Sequence, residues 1–128
     1  MKKIVVSIQN GLLAEGIVQM LKESGEFYPI RTVSGKKDSV VQNCQALSAD
    51  ILLAEVSYAS GTTMDRRLPE VKELRSLLPV CKIAFLCDEN SSPEIAREVM
   101  NAKKDGHIDA FFYSSVTAKY LVAALCAL

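Results

Sequence analysis

The chain has 128 residues, of which 49% are hydrophobic, so it is long enough to bury the core of one domain. Fifteen basic and fifteen acidic residues cancel, which leaves no basic excess for nucleic acid and argues against DNA or RNA binding by this chain. No apolar run approaches the roughly 20 residues that a membrane span needs, and we therefore expect a cytoplasmic protein without membrane contact.

The first third of the chain predicts a strand, a helix and a second strand. Residues 3–8 (KIVVSI) predict a strand, because this run is too short for a signal peptide and lacks a small-residue cleavage site. The turn QNG (residues 9–11) precedes a helix that ends at Gly25, with apolar positions at Leu13, Ile17, Met20 and Leu21. Residues 27–33 (FYPIRTV) predict a second strand. Pro29 favours its first residues or an edge position, since proline donates no ladder hydrogen bond.

The middle of the chain continues the alternation. After a break at Gly35, a second helix is marked by Val40, Val41, Cys44 and Leu47. Residues 50–56 (DILLAEV) predict a third strand that is apolar on both faces, as in a buried parallel sheet. Residues 57–68 predict a polar loop, and Pro69 predicts the first turn of a third helix. The apolar stripe of that helix is Val71, Leu74 and Leu78.

The last third predicts two further strand and helix pairs. Residues 81–87 (CKIAFLC) predict the fourth strand, and SSPE (residues 91–94) predicts a serine-capped helix start. Residues 108–113 (IDAFFY) predict the fifth strand, and Thr117 caps a last helix with Leu121, Leu125 and Leu128. Five strands alternating with five helices predict an α/β fold with a parallel sheet and helices on both faces.

Few chemically active side chains follow the predicted strands. Glu55 ends the third strand and Cys87 the fourth, at the sheet edge where α/β proteins place their sites. His107 precedes the fifth strand at the opposite edge, so a Cys–His catalytic pair is not expected. The cysteines lack metal-binding spacing and predict reduced, buried thiols, and we predict neither a metal site nor a cofactor. The pairs Arg66-Arg67 and Lys103-Lys104 are typical of solvated surfaces.

Three segments resemble the receiver domain of bacterial response regulators, in the subgroup usually joined to a helix-turn-helix output domain. These segments are KIVVSIQNGLLAEGI, ADILLAEV and DAFFYSSVTAKYLVAAL, with matching residues at Glu15, Gly16, Asp50, Phe111 and Thr117. The resemblance covers nearly the whole chain and departs at residues 57–68 and 105–107. It implies that residues 1–128 form a single receiver-like domain with the flavodoxin-like three-layer sandwich. The implied strand order is 2-1-3-4-5.

The resemblance also implies where the chemistry of a receiver would lie. A working receiver moves a phosphoryl group from a histidine kinase to its own aspartate, with magnesium, a hydroxyl and a lysine as helpers. The matching positions here hold Glu55 as phosphoacceptor equivalent, Ile8 and Gln9 as the acidic pair, Cys87 as the hydroxyl and Ser114 as the lysine. All five differ from the receiver pattern. Phe111 takes the place of the switch aromatic.

The sequence therefore predicts a degenerate receiver, or pseudo-receiver, that is no enzyme and signals through protein contacts without phosphorylation. Glu55 is interpreted either as a permanent mimic of the charged state or as a solvated carboxylate. The apolar last helix (LVAALCAL) suggests a domain of a longer protein, whose output domain would regulate transcription, or a helix packed on a partner. The expected partner is another protein or a second copy through the last two helices, and a sensor kinase is a further candidate. The alternatives are phosphorylation at an unorthodox site, or a small flavodoxin-like enzyme or ligand-binding protein.

Overall fold

The computed structural model describes residues 1–32, 39–59, 61–88 and 93–128. Strands and helices alternate along these residues. Their bounds are β1 Lys2–Ser7, α1 Gly11–Ser24, β2 Phe27–Arg31, α2 Ser39–Leu47, β3 Ile51–Val56, α3 Met64–Leu77, β4 Lys82–Cys87, α4 Pro93–Lys104, β5 Ala110–Tyr113 and α5 Ala118–Cys126. The ends of the predicted strands agree with these bounds to within two residues.

The strands form one parallel sheet in the order β2-β1-β3-β4-β5, which confirms the predicted fold and strand order. Two apolar clusters cover its faces. One joins buried residues of α2, α3 and α4 to the sheet, and the other joins α1 and α5 to the opposite face. Crossover helices on both faces are what a parallel sheet requires, because each crossover carries the chain back to the start of the next strand.

The strand register brings the carboxyl ends of β1, β3, β4 and β5 to one edge of the sheet. Ser7 pairs with Ala54 of β3, Val56 pairs with Cys87, and Cys87 pairs in turn with Tyr113. The first residues of α1 and α5 follow at the same edge. Any side chain that closes one of these strands therefore faces the loops that begin the helices.

The start of α3 corrects the predicted loop. The helix begins at Met64, five residues before Pro69, which lies inside it and was wrongly predicted to begin it. The amide groups of Arg66 and Arg67 both donate to the Thr63 carbonyl at 3.0 and 2.9 Å, so the helical turn is already formed there. Pro69 withholds only the hydrogen bond to the carbonyl four residues earlier, at Asp65, which is exposed to water.

Local signals at the other boundaries behave as the sequence predicts. Pro29 lies in β2, which is the edge strand beside β1 in the sheet formed by the described residues. Gly25 ends α1 with φ +72°, a conformation that favours glycine. Thr117 caps α5 as predicted, by accepting a hydrogen bond from the Tyr120 amide. Asn10 caps α1 by accepting from the Leu13 amide, where the sequence predicted only a turn. The predictions at Val33, Gly35, Ser91 and Ser92 lie outside the described residues.

Candidate functional site

Glu55 lies half-buried at the carboxyl end of β3, where the sequence predicts it. Its Oε1 accepts a hydrogen bond of 2.9 Å from the backbone amide of Gln9, which is exposed in the turn between β1 and α1. This contact joins the β1–α1 turn to the end of β3, 46 residues away in sequence. The carboxylate is therefore held in place beside the amino-terminal end of α1, where the helix dipole favours negative charge.

A depression of about 450 Å³ opens between the loops at this edge of the sheet. Its lining comes from the ends of β3 and β4 and from the β1–α1 and β5–α5 turns. The lining residues are Asn10, Leu13, Glu55, Val56, Ser57, Tyr58, Ala59, Leu86, Cys87, Asp88 and Ser114. The two charged groups in this set, Glu55 and Asp88, are both carboxylates. The depression thus brings together three of the sequence-predicted positions, Glu55, Cys87 and Ser114.

Asp88 also lines this depression. It directly follows the last residue of β4. Ser114 closes the opposite side, where its backbone amide donates to the Cys87 carbonyl at 2.9 Å. The thiol-bearing residue Cys87 is itself only 1% exposed, so it forms part of the floor of the depression.

Arg67 is a functional candidate that the sequence analysis missed. The prediction of a solvated surface is wrong for this residue, because it is 2% exposed. Its Nε donates to the Glu55 carbonyl at 2.8 Å, and its Nη2 donates to the Ser7 carbonyl at 2.9 Å. Its Nη1 donates to the Ser7 hydroxyl at 3.0 Å and to Glu70 Oε1 at 3.2 Å. The guanidinium thereby ties α3 to the carboxyl ends of β1 and β3.

The electrostatics of Arg67 reflect this position. Burial lowers the pKa of the guanidinium, and the charge and hydrogen bond of Glu70 oppose that effect, with a further contribution from Glu55. The ordinary pKa is so high that the group stays cationic. The positive charge of Arg67 is therefore fixed on the face of the sheet that α2, α3 and α4 cover, at the carboxyl ends of β1 and β3. Its neighbour Arg66 is exposed, as predicted.

Two of the predicted positions contribute to apolar packing. Ile8 is 1% exposed and packs in the cluster beneath α1 and α5, so its side chain contributes packing and no metal ligand. Phe111 is half-buried against the opposite cluster, and its ring meets that of Tyr113 edge to face at 5.9 Å. Both contacts are those of ordinary core residues.

The loop after β3 is closed by its own hydrogen bonds. The Ser57 amide donates to the Thr62 carbonyl, and the Thr62 amide donates to the Ala59 carbonyl, each at 2.9 Å. The Ser57 and Thr62 hydroxyls also bond to each other, and Thr62 is fully buried. The polar loop predicted over residues 57–68 is therefore shorter, since α3 begins at Met64, and these bonds hold its described residues beside the depression.

The remaining polar residues singled out in the sequence lie away from this site. Asp50 accepts a hydrogen bond from the Lys3 amide at the opposite edge of the sheet, and His107 lies in the turn before β5 at that same edge. Within residues 1–32, 39–59, 61–88 and 93–128, no three His, Cys, Asp or Glu side chains form a group that could hold a metal ion.

The fold has many counterparts among solved structures. A response regulator receiver domain from Clostridium thermocellum superposes with a TM-score of 0.78 at 16% identity, covering 99% of this chain and 93% of that one. The receiver domain of the response regulator NarL from Mycobacterium tuberculosis gives 0.76 at 16% identity, covering 98% and 94%. This chain has the receiver fold.

The receiver fold also occurs in a Burkholderia pseudomallei response regulator whose structure contains a phosphorylated aspartic acid. That protein gives a TM-score of 0.73 at 19% identity, and the match covers 98% of this chain but 66% of the longer protein. No family model matches the sequence, and no curated protein matches it significantly. In the described part of the chain, no helix has the length and apolar character to cross a membrane.

Proposed function

We propose that residues 1–128 form a single receiver-like domain that signals through protein contacts and accepts no phosphoryl group. The observation that carries this proposal is the charge of the depression at the strand ends. Its described lining contains the carboxylates of Glu55 and Asp88 and no cationic side chain. Phosphoryl transfer needs positive charge at this place to neutralise the transferred group.

The individual positions support the same proposal. Magnesium is held mainly by carboxylates, whereas the positions matching the acidic pair hold the buried Ile8 and the amide Gln9. Ser114 offers a hydroxyl where a receiver has a lysine. Arg67 is cationic, but its hydrogen bonds go to the strand carbonyls, to Ser7 and to Glu70, beneath the depression. In this proposal its charge stabilises the fold.

Glu55 is, in this proposal, a permanent negative charge where a working receiver gains one transiently. The hydrogen bond from the Gln9 amide supports a held anion over a freely solvated carboxylate. Phe111, at the switch position, would then pack in one arrangement. The signal would come from contact with another protein.

The test is incubation with acetyl phosphate and magnesium, followed by intact-mass spectrometry. We expect no phosphorylated species of the wild-type protein, or of Glu55→Asp, because that single change restores neither the acidic pair nor the lysine. A receiver domain that carries all five groups serves as the positive control. A gain of one phosphoryl group that disappears in Glu55→Gln would overturn the proposal, and would establish phosphorylation at an unorthodox acceptor instead.

We further propose that the last two helices provide a self-association surface. Met100 on α4 is 51% exposed and Tyr120 on α5 is 63% exposed. The two helices cover opposite faces of the sheet, and exposed apolar side chains on both favour a two-fold contact between copies around the β5 edge. Control of transcription would run through an output domain outside these 128 residues. Light scattering over a wide concentration range tests the self-association. A monomer mass throughout would contradict it.

A second candidate function is the binding of a small molecule, and the size of the depression favours it. Its volume of about 450 Å³ lies within the range of roughly 300–1,000 Å³ found for ligand pockets. Two carboxylates would select a cationic or hydroxylated ligand over an anion. Thermal shift assays with polyamines and with nucleotides separate these classes, and stabilisation by a nucleotide would contradict the charge argument.

A further inference from the structure

Lys2, the first residue of β1, bonds to the end of α5 at the amino edge of the sheet, opposite the depression. Its Nζ donates to the Cys126 carbonyl at 2.9 Å and to the Leu128 carbonyl at 3.1 Å. The bonded residues are 124 and 126 positions apart in the sequence. A lysine from the first strand therefore stabilises the end of the last helix.

The end of α5 has few donors of its own. The Ala127 amide donates to the carbonyls of residues 123–125, and the last turn of the helix contains no basic residue. A helix leaves its last four carbonyl groups without partners inside the helix, and a cation at that end also offsets the negative end of the helix dipole. Lys2 supplies both the missing donor and the positive charge.

The packing of α5 also becomes weaker toward its end. Leu121 and Leu125 are 2% and 0% exposed, whereas Cys126 and Leu128 are only half-buried and Ala127 is exposed. Segments with few buried contacts open locally at a lower free energy than the rest of a domain. The order of the final residues therefore depends strongly on the hydrogen bonds from Lys2.

The ammonium group of Lys2 has other partners close by. A recess of about 540 Å³ at this edge is lined by Lys2 and Cys126 and also by the exposed residues Glu26 and Asp50. Among the residues that the structure describes, no ion pair joins Lys2 to either carboxylate. Lys2 thus bonds to the helix end although two carboxylates line the same recess. These carboxylates offer the ammonium a second set of partners when it leaves α5.

We propose that Lys2 is a latch for the end of α5. While its ammonium group bonds to the α5 carbonyls, the last helical turn is held against the start of β1. When that group is withdrawn or loses its charge, residues 125–128 lose their helical order while the sheet stays folded. This inference goes beyond the proposed function, because the recess around Lys2 shares no lining residue with the depression.

NMR spectroscopy of the 128-residue protein tests the latch. Lys2→Met keeps most of the aliphatic stem and removes the donors. We expect the carbon chemical shifts of residues 125–128 to move from helical to random-coil values, with the shifts of β3 unchanged. The amides of residues 125–127 should exchange with solvent about tenfold faster, since hydrogen bonds from a charged group are lost. Helical shifts retained in Lys2→Met would overturn the proposal, even if the melting temperature fell.

Lys3→Met is the matched control for the loss of a lysine. Successive residues of a strand face opposite sides of the sheet, and Ile4 lies in the cluster with α5 whereas Val5 lies in the other. The exposed Lys3 therefore faces away from α5. Lys3→Met should keep the helical shifts of residues 125–128, and an equal loss in both variants would overturn the latch.

Two more variants test the chemistry of the contact. Lys2→Arg keeps a charged donor of similar reach and should retain the helical shifts, so random-coil shifts in this variant would contradict the proposal. Glu26→Gln removes a competing carboxylate and should leave the last turn as well ordered as in the wild type, or better. Loss of helical order in Glu26→Gln would show that this carboxylate supports the contact, and would overturn a latch that opens toward it.

Discussion

Arg67→Met tests whether the buried guanidinium holds the carboxyl ends of β1 and β3 together. Methionine fills much of the same volume but donates no hydrogen bond. The change removes the donors to the Ser7 and Glu55 carbonyls, which lie 2.9 and 2.8 Å from the guanidinium nitrogens, and the donor to the Ser7 hydroxyl at 3.0 Å. Ser7 is 1% exposed, so water does not readily replace these donors.

The expected destabilisation by Arg67→Met is the balance of two opposing effects. Leaving a buried charged network without one of its partners destabilises a protein by about 3–5 kcal/mol. Removal of the cation also relieves its own desolvation, which is the largest effect on its pKa, and Glu70 is 22% exposed and can regain water. The lower end of the range, about 3 kcal/mol, is therefore expected. With a urea dependence of about 1.5–2 kcal/mol per molar, the unfolding midpoint should fall by about 1.5–2 M.

The assay is equilibrium urea unfolding followed by circular dichroism, with Arg66→Met as the matched control. Arg66 is adjacent in sequence and exposed, and its substitution should change the free energy of unfolding by less than about 0.5 kcal/mol. Arg67→Lys keeps the charge but loses the planar set of donors, and should fall between the two. If Arg67→Met were no more destabilising than Arg66→Met, the argument for a structural cation would be refuted.

Three further predictions concern the caps, a salt bridge and the thiols. Thr117→Ala should destabilise the protein by about 1 kcal/mol, because its side chain caps α5, whereas Thr63→Ala should have little effect, because Thr63 makes no side-chain cap bond. Thermal unfolding of the two variants measures both effects, and equal falls in melting temperature would contradict the assignment of Thr117 as the cap of α5. Asp109→Ala should cost about 2 kcal/mol, because Asp109 Oδ2 accepts from the Ile83 amide and from Arg75, both at 2.8 Å. Asp105 is exposed, so Asp105→Ala is the control in urea unfolding. A loss of unfolding free energy in Asp109→Ala no larger than that in Asp105→Ala would contradict the prediction. Burial raises the pKa of Cys44 to about 12 and that of Cys81 to about 11, from 9.0 for both thiols. The unfolded chain therefore loses these protons first, and the stability present below pH 9.0 should fall as the pH rises from 9.0 toward 11. Cys44→Ala should weaken that dependence by about 2 kcal/mol at pH ~10.5, as measured by urea unfolding under reducing conditions, and an unchanged dependence would count against it.

The sequence alone predicted the features of this protein that depend on local chemistry. The alternation of apolar strands with helical stripes fixed the parallel sheet, because each pattern has its own period of burial. Pro29 marked an edge strand since it cannot donate to a second neighbour, and Gly25 and Thr117 marked helix ends through backbone conformation and capping. The placement of Glu55, Cys87 and Ser114 at one edge followed from the parallel arrangement. Their equivalence to receiver positions stays a prediction.

Only the tertiary structure decided where the charges lie. In sequence, Arg66 and Arg67 are indistinguishable, and both lie in a segment that was predicted as a loop before Pro69. The fold extends α3 back to Met64, and one arginine then reaches the carbonyls of Ser7 and Glu55, of which Ser7 is 60 residues away in sequence. Acceptors so distant leave no periodic trace near the arginine. The position of Asp88 beside Glu55 could not be predicted for the same reason, since a surface formed by separate elements exists only after they pack.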